Sequence, residues 1–277
     1  MIESGTLFIV ATPIGNLEDI THRALRTLKE VDLVAAEDTR HSQKLLQHYS
    51  ISTRLISLHD HNEIQRSKQL IEKLNQGERI ALISDAGTPL ISDPGYGFVN
   101  QCRLAGINVV PLPGPCAAIT ALCAAGLATD KFKFEGFLPV KTMAKQQTLQ
   151  KLLTETMTTV FYESPRRVVD TIKQTIAELG PQREMVIAKE LTKTFETFYS
   201  GTAEACLDWL EADVNHQRGE FVLMVAGEKP SQTDVSSEAL NLLKLLMNEL
   251  PLKKAAAVTA EQYGLKKNKL YQLGLDL

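Results

Sequence analysis

The chain has 277 residues, of which 44% are hydrophobic and 23% charged, and its 30 Lys and Arg residues face 33 Asp and Glu residues for a net charge of −3. This balance excludes a uniformly basic nucleic-acid coat, but it leaves room for a local basic patch. No apolar run approaches the roughly 18 to 20 residues that span a bilayer. The first residues lack the basic and apolar segments of a secretory signal, so we expect a cytoplasmic protein with no membrane partner. The four cysteines form no Cys-x-x-Cys pair, which is typical of reduced thiols: Cys102, Cys116, Cys123 and Cys206.

The first part of the chain alternates predicted strands and helices. Strands are predicted at residues 6–12, 31–36, 55–58, 79–83 and 108–112. Helices are predicted at residues 19–29, 40–48, 62–75, 96–105 and 116–125. Such alternation predicts a largely parallel sheet with helices on both faces.

A second α/β region follows a break in the pattern at residues 126–133. Its strands are predicted near 134–137, 158–163, 185–188, 197–200 and 220–226. Its helices are predicted near 145–153, 167–179 and 202–210. We therefore expect two α/β domains, residues 1–117 and 118–230, with a ligand cleft between them.

A third segment begins after the polar linker 227–234. An amphipathic helix is predicted at 237–250, and two short helices at 252–261 and 265–273 flank Gly264. Five lysines face one acidic residue in this stretch: Lys253, Lys254, Lys266, Lys267 and Lys269 against Glu261. The pattern predicts a small helix-turn-helix-like module at 235–277 with a basic face. From charge alone, a solvated pair of helices is an equally good interpretation.

Three loops rich in proline and glycine follow predicted strands. The longest is Ser84-Asp-Ala-Gly-Thr-Pro-Leu-Ile-Ser-Asp-Pro-Gly-Tyr96, and the others are Ala11-Thr-Pro-Ile-Gly-Asn-Leu17 and Pro111-Leu-Pro-Gly-Pro-Cys116. Glycine lets a backbone approach a ligand closely, and proline fixes its path. One such loop is more often only a turn. Three of them after strands of one sheet predict a ligand pocket at the carboxyl ends of those strands, with the third holding its ligand at a helix N-terminus.

Other common binding and catalytic motifs are mostly absent from the sequence. There is no P-loop, no complete dinucleotide fingerprint and no Gly-x-Ser-x-Gly elbow. The histidines that could suggest metal are His59 with His61, and His41 with His48. Their spacing is not a zinc pattern, so we expect no metal and favour a polar or substrate-facing role. Asn62 is expected at the cap position of the helix that follows His61.

Charged residues cluster at the ends of predicted strands rather than on helix faces. The segments are Glu37-Asp-Thr-Arg40, Tyr162-Glu-Ser-Pro-Arg-Arg167 and Ala188-Lys-Glu-Leu-Thr-Lys193. Arginine forks match phosphate oxygens, so this placement indicates a cleft for a charged substrate. The alternative is that the arginines only pair with Glu163 or lie on a helix surface.

Together these motifs resemble the tetrapyrrole methylase superfamily over about residues 5–228. The segments that carry the resemblance are Thr12-Pro-Ile-Gly-Asn16, Glu37-Asp-Thr-Arg40, Ser84 to Gly95, Pro113-Gly-Pro115, Phe161-Tyr-Glu-Ser-Pro-Arg166 and Arg218-Gly-Glu220. The pattern is most similar to the branch of ribosomal RNA small subunit methyltransferases I, and the lysine-rich helices resemble the helix-turn-helix extension of that branch. The resemblance implies S-adenosylmethionine (SAM) as methyl donor, bound between two α/β domains. It also implies 2′-O-methylation of a cytidine ribose in the decoding centre of 16S rRNA in the small ribosomal subunit, and a homodimer.

The resemblance also implies which residues contact the donor. They are Pro13, Gly15, Ser84, Asp85, Ala86, Gly87, Thr88, Pro115, Cys116, Ala117, Phe161, Tyr162, Ala188 and Gly227. Where related porphyrin enzymes carry a Gly-Asp-Pro turn, this chain has Ser84-Asp-Ala-Gly87.

Methyl transfer from a sulfonium is an in-line displacement, and a ribose hydroxyl is a poor nucleophile, so a base or a cation beside it would help. The candidates for this catalytic role lie at predicted strand ends facing the cleft: Lys189, Glu190 and Glu163. The expected RNA contacts are Arg40, Arg166, Arg167, Lys266 and Lys267. Two alternatives remain open: a methyltransferase acting on a corrin or porphyrin, and a non-catalytic binding protein whose main function is the helix-turn-helix module.

Overall fold

The computed structural model describes residues 5–59, 62–228, 235, 237–275 and 277. His61 and most of the predicted polar linker, residues 229–234, lie outside the described residues. The chain divides into two compact units, Met1–Gly227 and Glu228–Leu277. The predicted division of the first unit after residue 117 stays a prediction.

The first unit contains a five-stranded parallel sheet near its N-terminal end. Its strands are β1 (Thr6–Val10), β2 (Leu33–Ala36), β3 (Leu55–Ser57), β4 (Ile80–Ile83) and β5 (Asn108–Leu112), in the order β3-β2-β4-β1-β5. Every pairing is parallel, as the alternating pattern predicts. From β1 the chain continues to β2, toward the β3 edge of the sheet, whereas from β4 it continues to β5 at the opposite edge. The carboxyl ends of β1 and β4 therefore form the topological switch point, where open α/β sheets bind ligands.

Helices cover both faces of this sheet, again as predicted. They are α1 (His22–Glu30), α2 (Thr39–His48), α3 (Glu63–Asn75) and α4 (Tyr96–Leu104). Alternate residues of β1 point to opposite faces: Leu7 packs with side chains of α3 and α4, and Phe8 packs with side chains of α1 and α2. Asn62 occupies the cap position of α3, but its side chain makes no capping bond and instead accepts the N–H of His59 at 2.9 Å.

A second, mixed sheet follows. Helix α5 (Ala117–Ala124) precedes β6 (Phe132–Phe137), β7 (Thr158–Glu163), β8 (Glu184–Lys189), β9 (Thr197–Thr202) and β10 (Phe221–Val225), in the sheet order β6-β7-β10-β8-β9. Only β6 and β7 pair in parallel, and the other pairs are antiparallel. Helices α6 (Thr142–Gln150), α7 (Val168–Leu179) and α8 (Ala203–Ala212) pack on one face. The other face is covered by α5, which follows the edge strand of the first sheet and so brings the loop ends of that sheet to the second one.

The second unit consists of α9 (Ser237–Met247), α10 (Leu252–Tyr263) and α11 (Lys267–Leu275). Gly264 ends α10 with a φ of +64°, a conformation that favours glycine. The helices share a small core of Leu243, Ala255, Ala256, Ala260 and Leu270. Four of the five lysines are exposed: Lys253, Lys254, Lys266 and Lys267. In the described part of the chain, no helix combines the length and the apolar character that crossing a bilayer requires.

Candidate active site

The three loops rich in proline and glycine are bonded to one another. Thr12 and Gly87 exchange two backbone hydrogen bonds of 2.9 and 3.0 Å. The Thr88 hydroxyl donates to the Pro115 carbonyl at 2.8 Å. A Cβ at Gly114 would lie 2.6 Å from the Cβ of Ala11, so only glycine permits this approach of the third loop to the first. The loops thus form one continuous rim at the switch point.

A cavity of about 450 Å³, which we call the main cavity, lies inside this rim. The first sheet and its loops contribute Ile14, Glu37, Asp85, Ala86, Gly87, Thr88, Ile91, Ser92, Asp93, Cys116 and Ala117. The second sheet and its loops contribute Phe137, Tyr162, Glu163, Ser164, Pro165, Leu191, Glu220, Phe221 and Val222. Its volume falls within the roughly 300–1,000 Å³ of ligand pockets.

The charged residues that line the main cavity are all acidic: Glu37, Asp85, Asp93, Glu163 and Glu220. Among the described residues, no lysine, arginine or histidine lines it. Burial raises the pKa of the Asp93 carboxyl to about 6, and the nearby Asp85 adds to this rise while a hydrogen bond from Ser84 opposes it. The carboxylate of Asp85 accepts the N–H of Asp38 at 3.1 Å. Such a wall favours a ligand that carries positive charge.

Tyr162 forms a largely apolar side of the main cavity. Its ring makes edge contacts with Phe134 and Phe137, with centroids 4.9 and 5.6 Å apart. Its hydroxyl oxygen accepts the N–H of Ala118 at 3.1 Å, and burial raises the pKa of Tyr162. The fixed ring gives a ligand a flat apolar surface beside the acidic wall.

Glu163 is the next residue of β7, and its side chain points to the opposite face of the sheet, as strand geometry requires. Its carboxylate is 0% exposed. It accepts the Ser164 N–H at 2.8 Å, the Thr171 hydroxyl at 2.7 Å and the Arg167 Nε at 3.2 Å. Arg167 also donates to the Leu138 carbonyl at 2.6 Å. These bonds hold both side chains within the fold, so the geometry gives no support to Glu163 as a base or to Arg167 as a phosphate contact.

Lys189 and Glu190, the other two catalytic candidates, line no described cavity. Lys189 is 7% exposed at the end of β8, and Phe221 of β10 lies in register between it and Glu163. The pKa of Glu190 is lowered overall. Burial alone would raise it, but this effect is outweighed by the hydrogen bonds that the carboxylate accepts from the Glu220 N–H at 2.9 Å and from Lys193 at 3.0 Å. Glu190 therefore braces the loop after β8.

A second cavity of about 430 Å³ adjoins the main cavity and shares Ile14, Asp85, Ala86 and Glu220 with it. Pro13 and Gly15 line it, together with side chains of α2 and with Lys193. A Cβ at Gly15 would lie 2.5 Å from the Cγ of Lys193 and 2.8 Å from the Thr192 hydroxyl. The loop after β1 therefore touches the loop after β8 without room for a side chain.

The remaining predicted residues lie outside both cavities. Ser84 donates to the carbonyls of Ala86 and Gly87 and so shapes the loop. The side chain of Phe161 is buried in the core on the far face of the second sheet. The others that line neither cavity are Pro115, Ala188 and Gly227. Among the predicted RNA contacts, Arg40 is 89% exposed and pairs with Asp38 at 2.8 Å. Arg166, Lys266 and Lys267 are exposed.

Sequence reasoning missed several lining residues. Asp93 lies in the predicted loop, directly after two positions of constrained backbone: Leu90 and Ser92 have φ values of +74° and +72°. A second aspartate in such a loop is a signal that could have identified it, since strained residues cluster at functional sites. Phe221 and Val222 carried no local signal, because their place depends on how β10 pairs.

A parallel sheet and a mixed sheet share one ligand-sized cavity, which defines a two-sheet α/β protein with a binding cleft. The family of Tetrapyrrole (Corrin/Porphyrin) Methylases matches residues 6–206, and the RsmI C-terminal HTH domain matches residues 233–277. The fold is similar to that of uroporphyrin-III-C-methyltransferase from Thermus thermophilus, with a TM-score of 0.56 at 19% identity over 80% of this chain and 94% of that one. It is also similar to cobalt precorrin-4 methyltransferase, with a TM-score of 0.59 at 16% identity over 80% and 95% of the two chains.

Closer relatives are full-length matches. The chain is 57% identical to a Haemophilus influenzae protein over 98% of this chain and 97% of the relative. It is 56% identical to a Pasteurella multocida protein over 99% and 98%, and 54% identical to a Vibrio cholerae protein over 98% and 94%. All three are named ribosomal RNA small subunit methyltransferase I. The chain therefore belongs to the ribosomal RNA small subunit methyltransferase I family within the tetrapyrrole methylases.

Proposed function

We propose that this chain is a SAM-dependent methyltransferase that modifies the ribosomal RNA of the small subunit. In finer detail, we propose 2′-O-methylation of a cytidine ribose in the decoding centre of 16S rRNA. The names of its close relatives support the rRNA substrate. The observation that carries the reaction class is the main cavity, which lies at the switch point and whose charged lining is wholly acidic.

The residues of the main cavity fit SAM. This donor carries positive charge on its sulfonium and ammonium groups, and four acidic residues besides the buried Glu163 line the cavity: Glu37, Asp85, Asp93 and Glu220. The Tyr162 ring offers an apolar surface to the adenine or the methionine chain. Residues 85–88 and 116–117 line the wall, and their backbone groups are the proposed hydrogen-bond partners of the donor. When bound, SAM supplies an electrophilic methyl group on sulfur.

The chain must then align the acceptor hydroxyl, exclude water and take up a proton. Asp93 is our candidate for the last task because its carboxyl lies in the wall of the main cavity. With a pKa of about 6 it is ionised at neutral pH and is still a useful base. Asp93 accepts the proton of the ribose hydroxyl as that oxygen takes the methyl. The three candidates from sequence are less suitable, because Glu163 is engaged by Arg167 and the other two line no described cavity.

The second unit is proposed to hold rRNA away from the reacting ribose. Its exposed lysines include Lys266 and Lys267 at the start of α11, where helix-turn-helix proteins contact nucleic acid. Contacts of this kind are expected to weaken with salt. We also propose a homodimer, from the resemblance, and, from the sequence pattern, a cytoplasmic location and a domain boundary near residue 117.

Transfer of a tritiated methyl group from SAM to small ribosomal subunits tests the proposal. The expected result is one labelled cytidine whose 3′ phosphodiester resists alkali, because a 2′-O-methyl group blocks attack by the neighbouring oxygen. Isolated 16S rRNA, large subunits and a porphyrin precursor serve as parallel acceptors. Label in the porphyrin but in no RNA would contradict the proposal. Donor binding without transfer to any acceptor would favour a binding protein.

A further inference from the structure

Among the described residues, the lysines and histidines that line either cavity all line the second one. They are His41, Lys44 and His48 from α2 and Lys193 from the loop after β8. Two acidic residues, Asp85 and Glu220, line both cavities. Asp85 accepts a backbone N–H at 3.1 Å, and Glu220 pairs with Lys193 at 2.9 Å. The two adjoining cavities thus share a wall, and in the part of the chain that the structure describes only the second cavity has lysine side chains in its lining.

One face of α2 supplies most of this basic lining. His41, Lys44 and His48 are three and four residues apart, so they lie along one side of the helix. All three are exposed. Lys193 is shared between two carboxylates, whereas Lys44 forms no ion pair with any residue that the structure describes. Lys44 is therefore the lysine of the second cavity that no described carboxylate already holds in an ion pair.

The chemistry of an RNA acceptor requires such a neighbour. In an RNA strand the 2′ hydroxyl stands on the carbon next to the one that carries the 3′ phosphate, so the phosphate must lie beside the methyl donor. Glu37 and Asp93, which line the main cavity and not the second one, would repel it there. The second cavity is the adjoining space with cationic and N–H donor side chains.

We propose that the second cavity binds the backbone phosphate next to the acceptor ribose, with Lys44 as its charge and His41 and His48 as hydrogen-bond donors. This inference rests on the proposed function, since it assumes an RNA acceptor. It assigns α2 to positioning of the RNA strand. It also explains why one wall, with Ile14, Asp85 and Ala86, serves both cavities. The donor and the acceptor must meet across that wall.

The test compares Lys44→Gln with Lys29→Gln in the full-length protein. Lys29 is an exposed lysine at the end of α1 that lines neither cavity. The measurement is the Kd for a single-stranded 16S rRNA fragment containing the acceptor cytidine, at salt concentrations from 50 to 200 mM. Loss of one phosphate contact lowers the logarithmic salt slope by about 0.7. Raising the salt from 50 to 200 mM should therefore increase the Kd of Lys44→Gln by a factor about threefold smaller than that of wild type. Lys44→Arg should show the salt dependence of wild type, because it keeps the positive charge.

The Kd for SAM serves as the folding readout and should stay unchanged in all variants. The proposed phosphate site would be refuted if Lys44→Gln and Lys29→Gln had the same salt slope for RNA binding and the same KM for RNA. Failure of the proposed function looks different, because wild type itself would then transfer no methyl to small subunits. If wild type methylates the RNA and Lys44→Gln matches the control, only the phosphate site is wrong.

Discussion

Asp93→Asn removes a carboxyl of the main cavity whose pKa is raised by burial. In wild type the pKa of Asp93 rises from 3.8 to about 6, chiefly because the carboxyl is partly buried. Each tenfold change in proton affinity corresponds to about 1.4 kcal/mol, so ionisation costs the folded protein about 3 kcal/mol more than the unfolded chain. Water at the cavity mouth screens the group, and we expect about half of that value.

The sign of the pH dependence follows from the raised pKa. Between pH 3.8 and about 6 the folded protein keeps a proton on Asp93 that the unfolded chain has lost, so the free energy of unfolding falls as pH rises through this window. Asparagine has no proton to lose. Asp93→Asn should therefore become more stable than wild type by about 1.5 kcal/mol above pH 7, and the difference should shrink toward pH 4.

The same substitution should reduce the methyl-transfer rate. A base works only when ionised, so kcat of wild type should rise with pH through about 6 and then level off. Asp93→Asn should have a flat profile and a kcat lower by about 100-fold. Stability and activity thus change in opposite directions. Removal of an exposed carboxyl elsewhere, as in Asp208→Asn on α8, should change neither.

Urea unfolding at pH 4, 5, 6, 7 and 8 measures how the free energy of unfolding of Asp93→Asn and of wild type depends on pH. The single tryptophan, Trp209, reports on the first unit because it lies in α8. Steady-state methyl transfer over the upper part of that pH range measures the kcat of both proteins. An Asp93→Asn variant that keeps wild-type kcat would refute Asp93 as the base. A stability difference that does not change with pH would refute the argument from burial.

Three further predictions concern the fold and the RNA interaction. Glu163→Gln should destabilise the protein by about 3 kcal/mol in urea unfolding, because the fully buried carboxylate accepts bonds from Ser164, Thr171 and Arg167 and a neutral amide cannot replace its charge opposite Arg167. Glu211→Gln should cost less than about 1 kcal/mol, since its pair with Lys173 is exposed, and equal losses in the two variants would contradict the structural role of Glu163. Gly15→Val should weaken SAM binding by about tenfold in calorimetry, because the new side chain would displace Lys193 at a cost of about 1–3 kcal/mol. An unchanged Kd would show that the loops after β1 and β8 can move apart without loss of SAM binding. Deletion of residues 235–277 should weaken binding to 16S rRNA and leave SAM binding intact, and equal RNA affinity in gel-shift titrations would count against an RNA role for the helices.

The first sheet and its rim could be read largely from the sequence. Continuous apolar runs such as Ile80–Ile83 are typical of strands buried on both faces, and the alternation with helices fixed their parallel pairing. The three loops were found because glycine and proline mark constrained backbone at strand ends. The predicted ends of the helices were less accurate. The first was predicted from residue 19, whereas Thr21 caps α1 by accepting the Ala24 N–H at 3.0 Å.

The side chains of the site were harder to predict. The period of two along β7 already placed the side chains of Tyr162 and Glu163 on opposite faces of the sheet, so the sequence held evidence that the Glu163 carboxylate would point away from the Tyr162 ring. The engagement of Arg167 depends on the Leu138 carbonyl, 29 residues away, which no local pattern reveals. The acidity of the main cavity arises from residues on both sheets, such as Glu37 and Glu220, and depends on how the sheets come together.

The position of β10 has a consequence for biosynthesis. It is the last strand of the first unit, yet it lies in the middle of the second sheet, between β7 and β8. A nascent chain that ends before Phe221 can complete the first sheet, but it leaves two long strand edges open to other chains. Since Phe221 and Val222 also line the main cavity, the capacity to bind a ligand there arises only when nearly the whole unit has left the ribosome. Protection by chaperones should therefore matter most during synthesis of the segment between β8 and β10.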